Sequence, residues 1–98
     1  MTDTGEEKFD LTEEVKGECS ITWNDPRLES QIKGAMAYVR SKVGNSVTFD
    51  DYGLAVTLLA NRVRYQRNGA TAFFETDFRS DILTLQLELG KRGGNSHG

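Results

Sequence analysis

The chain has 98 residues, of which 37% are hydrophobic and 28% charged, with a formal net charge of −3 and one cysteine. A chain of this length forms one domain with a thin core, because small domains bury only about 65% of their unfolded surface. No stretch approaches the roughly 20 apolar residues of a membrane helix, and the acidic start is unlike a signal peptide. Cys19 stands alone, which excludes an internal disulfide and favours a reducing, intracellular setting.

The charge is unevenly distributed along the chain. Residues 1–18 carry seven acids against Lys8 and Lys16, a net charge of −5, whereas the remainder is net +2. This argues against an overall basic DNA-binding domain. We expect residues 1–10 to be an acidic flexible arm, residues 11–89 a single helical domain, and residues 90–98 a flexible glycine-rich tail.

The first predicted helix is short. Leu11, Val15 and Cys19 follow the helical spacing, and Asp10 with Glu13 could form a capping box at its start.

The second predicted helix is the clearest element. Asp25 before Pro26 is a strong start signal. Proline suits the first helical position, and the aspartate side chain accepts hydrogen bonds from the free backbone amides of the first turn. Gly44 ends the helix. Its apolar face consists of Leu28, Ile32, Ala35, Met36, Val39 and Val43.

The third predicted helix opens with a capping box at residues 48–51 and continues to about Gln66, before Gly69. The connection that follows carries two adjacent aromatic residues, Phe73 and Phe74, which need a packing partner. The inner face of this helix is predicted to be Tyr52, Ala55, Val56, Leu59 and Val63.

The last segment, SDILTLQLELGK at residues 80–91, fits two structures. Its leucines alternate as in a strand, whereas its length and its Leu, Gln and Glu content favour a helix. A helix would start near Phe78, capped by Thr76 or Asp77. The sequence therefore predicts an all-α bundle of three main helices plus a short N-terminal helix, with a C-terminal segment that is helical or extended.

No catalytic site can be assembled from these residues. His97 lies in the glycine-rich tail, Cys19 has no fixed histidine partner, and the Asp50–Asp51 pair is typical of a helix start rather than a metal site. We therefore expect a non-enzymatic protein with no catalytic residues, no cofactor and no metal.

Two features indicate binding. Arg62, Arg64 and Arg67 cluster near the C-terminal end of a helix. They either interact favourably with the negative end of the helix dipole or contact phosphates or acids of a neighbouring subunit. The last segment has more leucines than one face needs, so Leu83 and Leu87 either pack beneath the Phe73–Phe74 connection or await a partner.

An ordered set of segments resembles the head-tail connector proteins of tailed bacteriophages. It spans roughly residues 11–89 and comprises CSITWND at 19–25, YVRSKVG at 38–44, LLANRVRYQRNG at 58–69, FFETDF at 73–78 and ILTLQL at 82–87. The resemblance implies a compact helical subunit that joins the portal protein after DNA packaging. It implies a ring with the portal's twelvefold symmetry, in contact with neighbouring copies, which extends the DNA channel and supports a stopper or tail-completion protein.

The resemblance also implies a location and an interface. The protein would reside at the virion head-tail interface, and in the host cytoplasm during assembly, with DNA passing through the channel without specific binding and with no membrane partner. The C-terminal segment would dock on the portal or on neighbouring subunits. The residues of this expected interface are Ile82, Leu83, Leu85, Leu87, Leu89, Lys91 and Arg92.

Two other classes of function stay open on sequence grounds. The spacing of residues 44–47 between the second and third helices suits a small helix-turn-helix DNA-binding regulator, although Asp50 and Asp51 would then face phosphates. An acidic inhibitor protein that binds an enzyme through its N-terminal arm is the other alternative.

Overall fold

The computed structural model describes residues 9–93, and the side chains of residues 9–90. Within this part of the chain the regular structure is entirely helical, as predicted. Of the flexible arm predicted at residues 1–10, residues 1–8 lie outside the described residues, as do residues 94–98 of the predicted tail. Residues 9–93 form five helices, α1 (Leu11–Glu18), α2 (Leu28–Val43), α3 (Leu54–Arg67), α4 (Phe74–Asp77) and α5 (Arg79–Gly93), with a 3₁₀ turn at Thr71–Phe73.

Helix α1 forms where its capping pattern predicts. The Asp10 carboxylate accepts a hydrogen bond from the Glu13 amide at 3.2 Å, which satisfies one of the free donors of the first turn. Val15 is completely buried. The helix ends where Ser20 adopts a left-handed conformation with φ of 57° and the Ile21 amide donates back to the Lys16 carbonyl at 2.8 Å. This turn directs Ile21 into the core.

Helix α2 buries the predicted face but begins later than Pro26. Leu28, Ile32, Ala35 and Val39 are buried, and Met36 and Val43 pack partly against them. The residue before the first helical turn is Arg27 rather than Asp25. The Asp25 carboxylate does accept a backbone hydrogen bond, from the Arg27 amide at 2.9 Å, so it organises the turn that leads into the helix.

The predicted start of α3 at residues 48–51 is wrong. Helix α3 begins at Leu54, and residues 44–53 connect it to α2. Val47 and Phe49 of this connection are both buried and belong to the core. Tyr52, predicted on the inner face, is 74% exposed and makes an edge-to-face contact with the Phe9 ring, with ring centres 4.7 Å apart.

The turn after α3 depends on glycine. Gly69 has φ of 68°, and the amide of Ala70 donates to the Tyr65 carbonyl at 2.8 Å, which satisfies a carbonyl of the last turn. The chain then reverses through the 3₁₀ turn and α4. Of the adjacent aromatic pair, Phe74 is completely buried and stacks on Phe78 at 4.6 Å.

The last segment is a helix. Helix α5 begins at Arg79, close to the predicted start at Phe78, and continues to Gly93, beyond the domain end predicted at Leu89. The Ile82 amide donates to the Phe78 carbonyl at 2.9 Å.

Helix α3 occupies the centre of the bundle and contacts α1, α2 and α5. It runs antiparallel to α2, because Arg67 at its end donates to the Gln31 side chain near the start of α2 at 2.8 Å. Leu58, Leu59 and Val63 are almost inaccessible to solvent. The core is therefore built around α3, and the outer sides of α2 and α5 face away from it.

Candidate assembly surface

Helix α5 presents two apolar sides of different character. Ile82, Leu85 and Leu89 are 9%, 3% and 8% exposed and pack in the core. Leu83 and Leu87 are 52% and 67% exposed. Successive helical residues are rotated by about 100°, so a run of alternating leucines is divided between opposite sides of the helix. The side of α5 that carries Leu83, Leu87 and the exposed Ser80 and Thr84 is called the leucine face below.

The C-terminal end of α2 holds α5 in place. The Gln86 side chain donates to the Lys42 carbonyl at 2.7 Å, one of the last carbonyls of α2. A shallow groove of about 230 Å³ runs beside this contact and reaches Leu83. Its lining residues are Lys42, Glu75, Arg79, Ile82, Leu83 and Gln86. The leucine face is thus presented from a helix that this hydrogen bond and the core residues Ile82, Leu85 and Leu89 hold in place.

The Phe73–Phe74 connection does not cover the two leucines. Phe73 is itself 64% exposed, and Phe74 is taken up by the core. Trp23 and Tyr52 are further large apolar side chains that are more than half exposed. Of the two uses considered for Leu83 and Leu87, packing beneath the aromatic connection is excluded by their exposure.

The sequence-predicted interface residues therefore separate into three groups. Leu83 and Leu87 lie on the leucine face. The side chains of Lys91 and Arg92 lie outside those that the structure describes. The other three, Ile82, Leu85 and Leu89, belong to the core of the chain itself.

The arginine cluster of α3 is engaged within the chain. The Arg62 guanidinium lies 3.8 Å from the centre of the Tyr38 ring, as in a cation–π contact. Arg64 donates to the Asn61 side chain at 2.7 Å and lies 3.5 Å from the Glu18 carboxylate. These contacts join α3 to α2 and to α1.

Arg67 makes the most enclosed ion pair of the described residues. Its guanidinium is 2.9 Å from the Asp25 carboxylate, whose side chain is 3% exposed. Arg27 donates to the same carboxylate, and together with Arg67 it holds the pKa of Asp25 well below its usual range. The pair connects the loop before α2 to the end of α3. The sequence showed Asp25 only as a helix-start signal, because a partner so far along the chain leaves no local pattern.

A second polar cluster fastens α4 to α2. The Glu75 carboxylate accepts from the Tyr38 hydroxyl at 2.9 Å and lies 2.6 Å from the Lys42 ammonium. The hydrogen bond from Lys42, followed by that from Tyr38, lowers the pKa of Glu75. Burial and the bond to Glu75 raise the pKa of Tyr38 to about 12. Tyr38 is thus a hydrogen-bond donor throughout the physiological pH range.

The remaining perturbed groups also have structural partners. The Tyr65 hydroxyl donates to Asp77 at 2.6 Å, and this bond raises the pKa of Tyr65. Asp77 therefore binds Tyr65 instead of capping α5 as predicted. Burial raises the pKa of the Cys19 thiol, which disfavours the nucleophilic thiolate.

Residues 9–93 contain no group of three or more His, Cys, Asp or Glu side chains that could hold a metal ion. None of the described helices is long and apolar enough to cross a membrane. His97 lies outside the described residues. What these residues assemble is a leucine face on an anchored helix.

Compared with known proteins, the chain matches no protein-family model, no curated protein and no solved structure.

Proposed function

We propose that this chain is a structural assembly subunit, a head-tail connector of a tailed bacteriophage. The observation that carries the proposal is the leucine face. Leu83 and Leu87 are more than half exposed on a helix that already supplies Ile82, Leu85 and Leu89 to the core. A small domain gains no stability from exposed leucines and risks aggregation, so their presence favours a surface that is covered in an assembly. The ordered sequence resemblance indicates which assembly.

In this role the protein turns over no substrate. It binds the portal protein after DNA packaging, forms a twelvefold ring with neighbouring copies, extends the DNA channel and supports a stopper or tail-completion protein. It is found in the host cytoplasm during assembly and at the head-tail interface of the virion. Binding energy from many equivalent subunits, each with a modest interface, holds such a ring.

Electrostatics support a channel that releases DNA. The net charge is −3, and Arg62, Arg64 and Arg67 are engaged with Tyr38, Glu18 and Asp25. Phosphate contacts would retard a moving duplex, because each neutralised phosphate adds salt-sensitive affinity. The proposal therefore includes no specific contact with DNA.

The helix-turn-helix alternative loses its structural basis. That motif joins its helices by a turn of about three to four residues, whereas residues 44–53 separate α2 from α3. Asp50 and Asp51 lie in this connection and are exposed, so the connection presents carboxylates to solvent.

The deciding experiment is co-sedimentation with DNA-filled heads that carry the portal but lack this chain. We expect the wild-type chain to sediment with the heads and not with heads stripped of portal. Truncation after Arg79 is a poor test, because it removes Ile82, Leu85 and Leu89 from the core. The double variant Leu83→Ser, Leu87→Ser keeps the core and is expected to sediment less.

The matched control is Trp23→Ser, which removes another half-exposed apolar side chain, in the loop before α2 and far in sequence from the leucine face. It is expected to sediment like the wild type. A wild-type chain that stays in the supernatant would overturn the connector role.

A further inference from the structure

Leu83 and Leu87 stay more than half exposed when the described residues have packed together. A surface that covers them needs room for two leucines and charges that match those beside them.

The outer side of α2 has room for such a contact. One stripe of its exposed residues follows the helical spacing and has short side chains or none: Ser30, Gly34, Ala37 and Ser41. The exposed Glu29, Lys33 and Arg40 lie along one edge of this stripe. Nothing lies within 4 Å of the position of a β-carbon at Gly34, so a neighbouring helix can approach the backbone closely there.

The charges beside the two surfaces match in sign and in spacing. Asp81 and Glu88 border the leucine face on one edge of α5, seven residues apart. Lys33 and Arg40 border the outer side of α2, also seven residues apart. Two helical turns separate each pair, about 10.5 Å along the axis. Lys33 makes only an exposed pair with Glu29 at 3.7 Å, and Arg40 lies over the Phe49 ring at 5.5 Å, so both cations can meet acids from outside.

We propose that the leucine face of α5 binds the outer side of α2 on a second copy of this chain. Leu83 and Leu87 pack over Gly34 and Ala37, and the acids of α5 lie opposite the bases of α2. This inference rests on the proposed assembly role and deepens it, because it names the neighbouring copy as the partner of the leucine face. It leaves the portal to contact other surfaces of the subunit.

The contact is head-to-tail. It joins two different surfaces, and a heterologous contact of this kind closes into a ring or continues as a filament. A two-fold antiparallel pair of α5 helices is the competing arrangement. That pair would bring the same edge of both helices together. Asp81 and Glu88 of one copy would then lie opposite the same acids of the other copy.

The area of the contact predicts weak association in dilute solution. Two partly exposed leucines and their neighbours cover much less than the roughly 800 Å² per partner of a stable interface. Association becomes strong when many copies are held side by side, because the local concentration is then high.

Disulfide trapping between two variants tests the contact. Both carry Cys19→Ser, which removes the one native thiol; one adds Leu87→Cys and the other Ala37→Cys. Mixed at high concentration under mild oxidation, they are expected to form the mixed dimer on the order of tenfold faster than either forms its own dimer. The control replaces Ala37→Cys by Thr57→Cys, an exposed position on α3.

The dimer that predominates distinguishes the proposed contact from its alternatives. Predominance of the mixed dimer supports the proposal. Predominance of the Leu87→Cys homodimer overturns it in favour of an α5–α5 pair, and a mixed dimer no faster than the Thr57→Cys control overturns it altogether. Since the test contains no phage heads, its failure is distinct from failure of the connector role.

A charge exchange provides an independent measurement. Adding Glu88→Lys to the Leu87→Cys variant is expected to lower the yield of mixed dimer several-fold. Adding Arg40→Glu to the Ala37→Cys variant should then restore the yield. Absence of this restoration would show that the acids and bases do not face each other.

Discussion

At the scale of single residues, Asp25 does more for the fold than its position before Pro26 suggests. Its carboxylate accepts from the Arg27 amide and side chain and forms an enclosed pair with Arg67 at 2.9 Å. Removing one partner of an enclosed ion pair is costly, because the other charge is left without compensation. Asp25 therefore holds the loop before α2 against the end of α3.

We expect Asp25→Asn to lower the melting temperature at pH 7 by several degrees, on the order of 5 °C. Asparagine keeps an acceptor for the Arg27 amide but loses the charge. Asp50→Asn, the same change at an exposed site, should have little effect.

The effect of Asp25 also depends on pH. The hydrogen bonds from Arg27 lower the pKa of Asp25 in the folded state from its ordinary value of 3.8. Its contribution to stability is therefore complete above pH 3.8 and is lost as the pH falls toward the lowered value. Melting curves from pH 7 to pH 2.5 should show the gap between wild type and Asp25→Asn closing below about pH 4; a constant gap would contradict the assignment.

At the scale of elements, α5 shows how helical geometry divides a run of alternating leucines. As a strand, Leu83, Leu85, Leu87 and Leu89 would share one side, and their truncations would have similar costs. As a helix, the same residues fall on a core side and a solvent side. Matched truncations within this one helix therefore separate the two structures.

Leu85→Ala is expected to lower the free energy of unfolding by about 2–5 kcal/mol, because it leaves a cavity in the core. Leu87→Ala, two residues away, is expected to change it by no more than about 0.5 kcal/mol. Urea denaturation of both variants measures this difference. Equal losses would contradict the helical arrangement of α5.

Two glycines should respond in opposite ways to the same substitution. Gly69 has φ of 68° after α3, so Gly69→Ala is expected to lower the free energy of unfolding by about 1 kcal/mol. Gly17 lies within α1 with open space around it, so Gly17→Ala should raise the free energy of unfolding by about 0.5–1 kcal/mol. Thermal or urea unfolding distinguishes the signs, and a stabilising Gly69→Ala would show that the turn does not require glycine.

At the scale of the whole molecule, the arginines near the end of α3 contact other side chains of the bundle. A surface that binds duplex DNA would need cations free to meet phosphates, and it would lose affinity steeply with salt. The chain instead combines a net charge of −3 with internal partners for Arg62, Arg64 and Arg67.

We therefore expect no measurable binding to a duplex of mixed sequence at physiological salt and protein concentrations up to about 10 µM. Fluorescence anisotropy with a labelled duplex measures this, with a basic DNA-binding protein as the positive control. Tight binding that weakens steeply with added salt would contradict a channel through which DNA passes without retention.

The sequence by itself determined the helical class, the start of α1 and the apolar face of α2. Local spacing and capping residues act within a few positions, so the Asp10 cap and the Leu28–Val39 face could be predicted from the chain. Only the tertiary structure decided the start of α3, because burial of Val47 and Phe49 outweighed the capping pattern at residues 48–51. It also decided the partners of Asp25 and the arginines, and which leucines of α5 stay exposed. These depend on contacts between residues far apart in the chain, and no local pattern records them.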